Sequence, residues 1–451
     1  VGGGITGLLA AMHLADVGAH ATVLEASDRV GGQLCSTAIA GVTVDVGAES
    51  LYTATPGVTE LLRRLQLDDA VVEANKGRTW VATAGRLRRL PDGMGPAGPS
   101  RLWPIVTSRI LSPAGMLRAA CEPFIPSSHP ASDVAVGGYL AGRFGAQVTD
   151  RLVDPLLGNL HAGDVHRLSL AATAPALDRE ARRHRSVVLG RRRETAGPAG
   201  RFVTLAGGLT RITDALAADP RIEVRPNTPV RRVTPSNGGY LLTGYGCQSI
   251  EADAVVLALP SSVAAHLIAP LDAVAGDLLN GMEAASVATA IVSYPKAAVA
   301  SNAAFRGNGL LIPSSAGRTL KAATFLSRKW PHLDAGNEFF VRMSAGRAGD
   351  VQLGGLSDVG LVHRLHDDLA DLTGLAATPA ASVVYRWPAT MPQLMVGHLD
   401  VIAAVRQRLD QQRLAIAGAA YDGVGMGNCL RSARSVVQGL LTGPLAASVS
   451  A

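Results

Sequence analysis

Gly2, Gly4 and Gly7 form a G-x-G-x-x-G step, followed by an apolar helical run from Leu8 to Gly18 and a short apolar strand from Ala21 to Glu25. Glycines at this spacing permit a tight turn, with Ile5 and Thr6 inside it, that lets helix N-terminal amides approach a diphosphate whose charge the helix dipole stabilises. Glu25 closes the second strand, where a carboxylate can accept both hydroxyls of a ribose. Strand, glycine turn, helix, strand and acid together read as the start of a dinucleotide-binding fold. The chain opens with Val1 directly before the glycines and without an initiator Met, so the first strand's earlier residues, and any targeting peptide, are expected to precede it.

The next residues decide which dinucleotide. Glu25-Ala26-Ser27-Asp28-Arg29-Val30-Gly31-Gly32-Gln33 makes a second turn where a nicotinamide domain would begin its next helix. This E-A-x-x-R-x-G-G pattern resembles the extended signature of the FAD-binding amine oxidase, phytoene desaturase and protoporphyrinogen oxidase superfamily. The resemblance implies that Arg29, Gly31 and Gly32 lie against the diphosphate, with Ala26 and Gln33 in the same cofactor-binding stretch. Asp45-Val46-Gly47-Ala48-Glu49-Ser50 resembles the superfamily's following strand and turn, which pass close to the flavin. Val230, in Pro229-Val-Arg-Arg-Val, matches the position whose backbone meets the adenine. Near the other end, Ala417-Gly418-Ala-Ala-Tyr421-Asp-Gly423-Val424-Gly425-Met426 resembles the segment that returns a helix N-terminus to the isoalloxazine, with Val424, Gly425 and Met426 beside it. FAD is thus the implied cofactor, held by residues from both ends of the chain.

Three longer stretches are similar to the porphyrinogen oxidases in particular: Val153-Asp-Pro155-Leu-Leu-Gly158-Asn-Leu-His-Ala162-Gly163-Asp164, Phe340-Val-Arg342-Met-Ser-Ala-Gly346-Arg347-Ala-Gly349-Asp350, and Arg386-Trp387-Pro-Ala-Thr-Met391-Pro392-Gln393. The chain is identified as a member of the protoporphyrinogen and coproporphyrinogen III oxidase family, with an actinobacterial character. That membership implies hydride transfer from a meso carbon to flavin N5, with loss of an N–H proton and electrons passing to oxygen as peroxide. The protein then supplies position and desolvation, and no side chain is assigned a catalytic role. Arg78 matches an arginine expected to pair with a substrate propionate, which suits its planar fork. Trp387 matches a residue near the flavin. Two departures from the family pattern stand out: Asn159-Leu-His161 replaces a more Gly- and Tyr-like stretch, and Gly427 stands where Pro is common.

These residues need elements to position them, and 451 residues provide for two or three domains. The expected class is α/β. A Rossmann-like FAD-binding domain is built discontinuously from 1–75, 203–260 and 412–451, a mixed-sheet substrate-binding domain from 76–91 and 261–411, and 92–202 is an inserted, mostly helical domain. Within the insert, Ala135 to Leu152 reads as helix bounded by Asp154-Pro155. The final helix is expected from about Ser432 to Leu441.

Composition narrows the alternatives. Hydrophobic residues make up 47% and charged residues 17%, as in a globular enzyme rather than a disordered chain. Mean hydropathy is +0.21, yet the most apolar stretch, Ala254 to Ala269, is broken by Pro260, Ser261, Ser262 and His266, which argues against a spanning helix. The 42 basic and 36 acidic residues give +6, and only Lys76, Lys296, Lys321 and Lys329 are lysines. No basic run interleaved with aromatics points to nucleic acid, and Arg179 to Arg193 reads as a solvated basic loop. Cys35, Cys121, Cys247 and Cys429 are too far apart for a CxxC site, and His161 and His166 have the wrong spacing for a helical metal pair, so reduced thiols and no metal are expected. The cytoplasm, with peripheral contact at the inner face of the membrane, is the expected location, and a hand-off to the next haem-pathway enzyme is a further expectation. A flavin amine oxidase is the alternative enzyme. Such enzymes have an aromatic cage and a lysine bridged to N5 by water; aromatics here are 4%, and Lys321, the one plausible lysine, receives no role. A FAD-holding tetrapyrrole carrier is the non-enzymatic alternative. Between the porphyrinogens, an expected Arg-rich cavity rim and no membrane anchor favour coproporphyrinogen III with four propionates over protoporphyrinogen IX with two.

Overall fold

The computed structural model describes all residues except 84, 96–97, 127–129, 195–199, 245–248, 411 and 443–451, and the side chains of 191–194. The stretch Arg179 to Arg193, expected as a solvated loop, instead runs through the helices Pro175–Arg183 and Val187–Glu194. The side chains of Arg191, Arg192 and Arg193, and Cys247, lie outside what is described. Cys35, Cys121 and Cys429 are free thiols.

The glycine turn leads into a helix, Ile5–Asp16, whose apolar residues Leu8, Leu9 and Met12 are buried. The strand Ala21–Leu24 pairs in parallel with Ile222–Arg225, and Val255–Leu257 pairs in parallel with Leu414–Ile416. Val1 and Gly2 run between these two pairs: Gly2 N donates to Leu24 O at 2.8 Å, the Val1 amine to Val256 O at 2.7 Å, and Ala258 N to Val1 O at 2.8 Å. A slot of about 640 Å³ lies there, lined by Leu14, Val23 and Val255 among others. The helix Met426–Thr442 packs beside Ile5–Asp16, so the two chain ends share one core. This helix begins before the expected Ser432. Gly427 permits the start, because a Cβ there would come within 2.0 Å of Thr55 Cγ2.

A second core surrounds a seven-stranded mixed sheet in the order 381–392, 284–295, 338–345, 322–325, 309–311, 79–83 and 86–89, antiparallel except where 309–311 meets 79–83. Period-two burial along Glu338–Ala345 sends Arg342 and Ser344 to one face and Val341 and Met343 to the packed one, as a strand requires.

The segment between these cores is helical, with its own buried set including Leu140, Phe144, Leu152 and Leu177. Its centre differs from expectation. Helix Val136–Phe144 stops at Gly145, which has φ +91°, and the chain then stays helical through Pro155 as a π-helix, Thr149–Gly158. The wider π turn accommodates a proline that lacks an N–H and would clash in an α-helix interior. Pro155 O instead accepts from Asn159 Nδ2 at 2.9 Å. Glu122, fully buried, ties this region together. Its carboxylate accepts from Arg143 Nη2 at 2.6 Å, Ser186 Oγ at 2.6 Å and Val187 N at 2.9 Å. Among the described residues no helix is long and apolar enough to cross a membrane.

Candidate functional site

The N-terminal motif residues converge through backbone contacts that leave no room for side chains. At Gly2, φ is +100° and a Cβ would lie 2.5 Å from Ala258 O; at Gly7 it would lie 2.0 Å from Gly2 O. Gly4 has open space instead, and as the residue capping the helix it makes no side-chain cap, so the first-turn amides face that opening. Glu25 Oε2 accepts from Gly3 N at 2.7 Å, and its Oε1 accepts from Ser27 N and Oγ at 2.9 and 2.7 Å. Ala26 is exposed beside it, and Thr228 N donates to Glu25 O at 2.7 Å, which brings the segment carrying Val230 to the same edge.

Arg29 builds the second turn. Its guanidinium donates to the carbonyls of Val30 and Gly32 and, through Nη2, to Tyr385 Oη at 3.1 Å. Gly31, at φ +107°, donates its N–H to Gly3 O at 2.8 Å, so the two glycine turns lie side by side. Gly32 closes against Gly4 Cα. Backbone without Cβ atoms, uncapped amides, an arginine and a carboxylate at one edge suit the diphosphate and ribose of a dinucleotide.

From this edge a cavity of about 510 Å³ runs between the two cores. Ile5, Gln33, Gly47, Ala48, Glu49, Ser50, Trp387, Val424, Gly425 and Met426 all line it, which brings together motifs separated by almost the whole chain. Gly47 is squeezed: a Cβ would lie 1.9 Å from Gln33 O and 3.3 Å from Trp387 Cζ2. Trp387 is buried against Tyr385, ring centroids 4.4 Å apart. Gly418, at φ +121°, does not line the cavity; its N–H donates to Ser432 Oγ at 2.8 Å and the turn passes over Thr6, itself buried. The walls mix apolar side chains with polar groups such as Gln33, Glu49, Lys321 and Arg342, which suits a cofactor ring and an apolar substrate bearing charged arms.

Glu49 carries more than a cofactor contact. Its buried carboxylate pairs with Lys329 Nζ at 2.5 Å and Arg342 Nη1 at 3.2 Å. Burial opposes its ionisation, but the two cations outweigh burial and hold its carboxyl below the usual range. Arg342 Nη2 also donates to Gly47 O at 2.5 Å, so the sheet strand fixes the turn that faces the flavin motifs. Asp45 acts on the other side, where Oδ1 accepts from Ser36 Oγ at 2.6 Å and Leu209 N at 3.0 Å. Burial pushes its carboxyl up, against those hydrogen bonds.

One sequence expectation falls elsewhere. Arg78 is exposed and is not among the residues lining the cavity; its carbonyl accepts from Asn308 N at 2.7 Å, which fixes it at the strand edge. Val230, expected beside the adenine rather than the flavin, is half-buried on an apolar cluster and does not line the cavity. Conversely, Leu156, Asn159, Leu160, Leu311, Lys321, Thr324 and Arg342 complete the wall without having been singled out as site residues. Asn159 is the joint. Its Nδ2 donates to Lys321 O at 2.7 Å and its Oδ1 accepts from Arg347 Nη2 at 2.9 Å, tying the π-helix to the sheet. The departure Asn159-Leu160-His161 was the one signal in the sequence that this stretch differs. Among the described residues no group of three or more His, Cys, Asp or Glu could hold a metal.

Comparison with known proteins agrees with this geometry. Residues 5–441 match the model of the flavin containing amine oxidoreductases. Coproporphyrinogen III oxidase from Mycobacterium tuberculosis is 33% identical over 458 residues, covering 98% of this chain and 97% of that protein. The protein of the same name from Bacillus subtilis is 28% identical over 460 residues, with 98% and 97% covered. A crystal structure described as a protoporphyrinogen oxidase from Exiguobacterium sp. 255-15 superposes with a TM-score of 0.87 at 28% identity, covering 97% of this chain and 96% of that one.

Proposed function

The chain belongs to the flavin containing amine oxidoreductase family, and from that premise we propose that it is a FAD-dependent porphyrinogen oxidase that converts coproporphyrinogen III to coproporphyrin III in haem biosynthesis. The observation that carries this reading is the shared cavity, where the flavin motifs and an apolar wall of Leu156, Leu160 and Leu311 face one space with Arg342 and Lys321 at its edge. The names of the full-length relatives support the same substrate class.

When bound, FAD supplies a hydride acceptor at N5 and an outlet for electrons to molecular oxygen. The chain's own residues do the rest. The Gly2 to Gly7 turn, Arg29 and Glu25 hold the diphosphate and ribose, with Ala26, Gly31 and Gly32 in the same loop and Val230 toward the adenine. Gly47, Ala48, Glu49 and Ser50, with Gln33 and Trp387, form the wall against the ring system, and Val424, Gly425 and Met426 close it from the C-terminal side, with Gly418 in the turn behind them. Apolar walls exclude water, so a macrocycle is held and oriented where the chemistry occurs. We assign 1–75, 203–260 and 412–451 to the cofactor-binding unit, 76–91 and 261–411 to the substrate-binding unit, and 92–202 to the helical insert.

Aerobic mixing with coproporphyrinogen III and with protoporphyrinogen IX, followed by porphyrin fluorescence and peroxide above the enzyme-free control, tests the reading. Faster coproporphyrin formation supports it; faster protoporphyrin formation moves the substrate; neither product rejects it. We also infer contact with the inner face of the cytoplasmic membrane. Trp103, Leu117 and Phe124 are 76, 69 and 79% exposed on adjoining segments, near exposed Arg101 and Arg109. Co-flotation with anionic vesicles tests this, and its absence refutes it. The product passes from there to the next enzyme of the pathway, a hand-off that channelling assays with a coupled partner would detect.

A further inference from the structure

Lys321 stands apart from the other buried charges. It precedes the strand Ala322–Phe325 and its backbone is fixed on two sides: its N–H donates to Ser344 O at 3.0 Å, and its carbonyl accepts from Ile312 N at 3.0 Å and Asn159 Nδ2 at 2.7 Å. The residue is 5% exposed, yet it lines the cavity. Among the described residues its ammonium has neither a hydrogen bond nor an ion pair, whereas Lys329 is paired with Glu49 and Lys296 with Asp334. Behind it, Arg347 Nη2 donates only to neutral oxygens, Asn159 Oδ1 at 2.9 Å and Ile312 O at 3.1 Å. Asp154 and Asp350 are the acids acting on Arg347; Asp154 is already committed to Ser314 N at 2.7 Å, and Asp350 accepts from Gln352 N at 2.9 Å.

A buried cation without a partner is costly, and a site that keeps one is built to receive an anion. We propose that Lys321, backed by Arg347, forms a carboxylate subsite that receives one propionate of the porphyrin macrocycle. This inference rests on the porphyrinogen oxidase reading and goes beyond it by naming where a substrate arm is held. The apolar neighbours Leu156, Leu160 and Leu311 suit the macrocycle, and the ammonium supplies a charge-assisted hydrogen bond to the acid. Lys321 shares one cavity with Gly47, Trp387 and Arg342, so a macrocycle lying on the Gly47 and Trp387 wall faces the same space as the ammonium. Burial, followed by the charges of Arg347 and Arg342, lowers the amine to about 7, so the free amine is partly neutral at neutral pH and a bound carboxylate would draw it to the charged form.

The test titrates the flavin-loaded protein with coproporphyrin III, the stable product, and with its tetramethyl ester, reading porphyrin fluorescence. Wild type should favour the free acid. Lys321→Met should weaken free-acid binding at least tenfold and leave ester binding unchanged, while Lys321→Arg retains most of the preference. A retained flavin spectrum shows that each variant folds, and an unliganded melting temperature for Lys321→Met at or above wild type is expected when an unpaired buried charge is removed. Equal free-acid binding by Lys321→Met and wild type overturns the subsite while leaving the oxidase reading intact. A wild-type protein that binds neither compound and oxidises no porphyrinogen overturns the oxidase reading, and the subsite with it.

Discussion

Glu49→Gln probes the electrostatic link between the sheet and the flavin-facing turn. The carboxylate lies between Lys329 and Arg342, with all three side chains no more than 20% exposed. Neutralising it leaves two buried cations sharing one amide, and breaking a buried pair by removing one partner costs about 3–5 kcal/mol. Because Arg342 keeps its bond to Gly47 O, we take the lower end, about 3 kcal/mol. In a chain this long each kcal/mol is worth about 1–2 °C, so the melting temperature should fall by about 3–6 °C at neutral pH. The pH dependence supplies a second check. Glu49 ionises below its ordinary value of 4.5 in the folded chain, so its contribution is fully present above that pH and fades as pH falls through the lowered folded value. The gap between wild type and Glu49→Gln should therefore be constant from about pH 5.5 to 8 and narrow in acid. Thermal melts followed by flavin fluorescence measure both. A neutral-pH shift under about 1 °C, or a gap that widens in acid, refutes the reasoning.

Three further outcomes follow from the geometry. Gly7→Ala places a Cβ 2.0 Å from Gly2 O, so the glycine turn must open and the purified protein should carry at least about tenfold less flavin per chain by visible absorbance. Glu122→Gln removes the anion that accepts from Arg143, Ser186 and Val187 in a fully buried site, and should destabilise the helical insert by about 3–5 kcal/mol, seen as early proteolysis within 92–202. Coproporphyrin III affinity should be highest near pH 6 and fall as pH rises through 7 and above, because the free Lys321 amine, facing Arg342 and Arg347 with Asp154 and Asp350 beyond, loses its proton near 7 while the bound carboxylate holds it. Titrations across pH with Lys321→Met as the pH-insensitive reference check the last of these.

The glycine turns were legible because their constraint is local: a positive φ at Gly2, Gly31 and Gly418, or a Cβ overlap at Gly7 and Gly47, writes itself into residue type. The helical insert was legible from proline and glycine punctuation, although Pro155 misled as a boundary because the π-helix absorbs it. The mixed sheet was not read from a strand period. Arg342, Lys321 and Asn159 were not legible as one group. Their meeting depends on the register of Ala322 against Ser344 and on a side chain reaching from the insert 162 positions away, and neither leaves a spacing rule in the chain. Arg78 illustrates the reverse, since a matched residue type does not fix which side of a strand edge faces the cavity.

The central claim is that this cavity brings a porphyrinogen to the flavin. Anaerobic mixing of the purified, flavin-loaded protein with coproporphyrinogen III, followed in the visible flavin absorbance, tests it most directly. Bleaching that keeps pace with the appearance of porphyrin is the predicted result. A flavin that stays oxidised with coproporphyrinogen III, or one bleached only by an amine, would contradict the account.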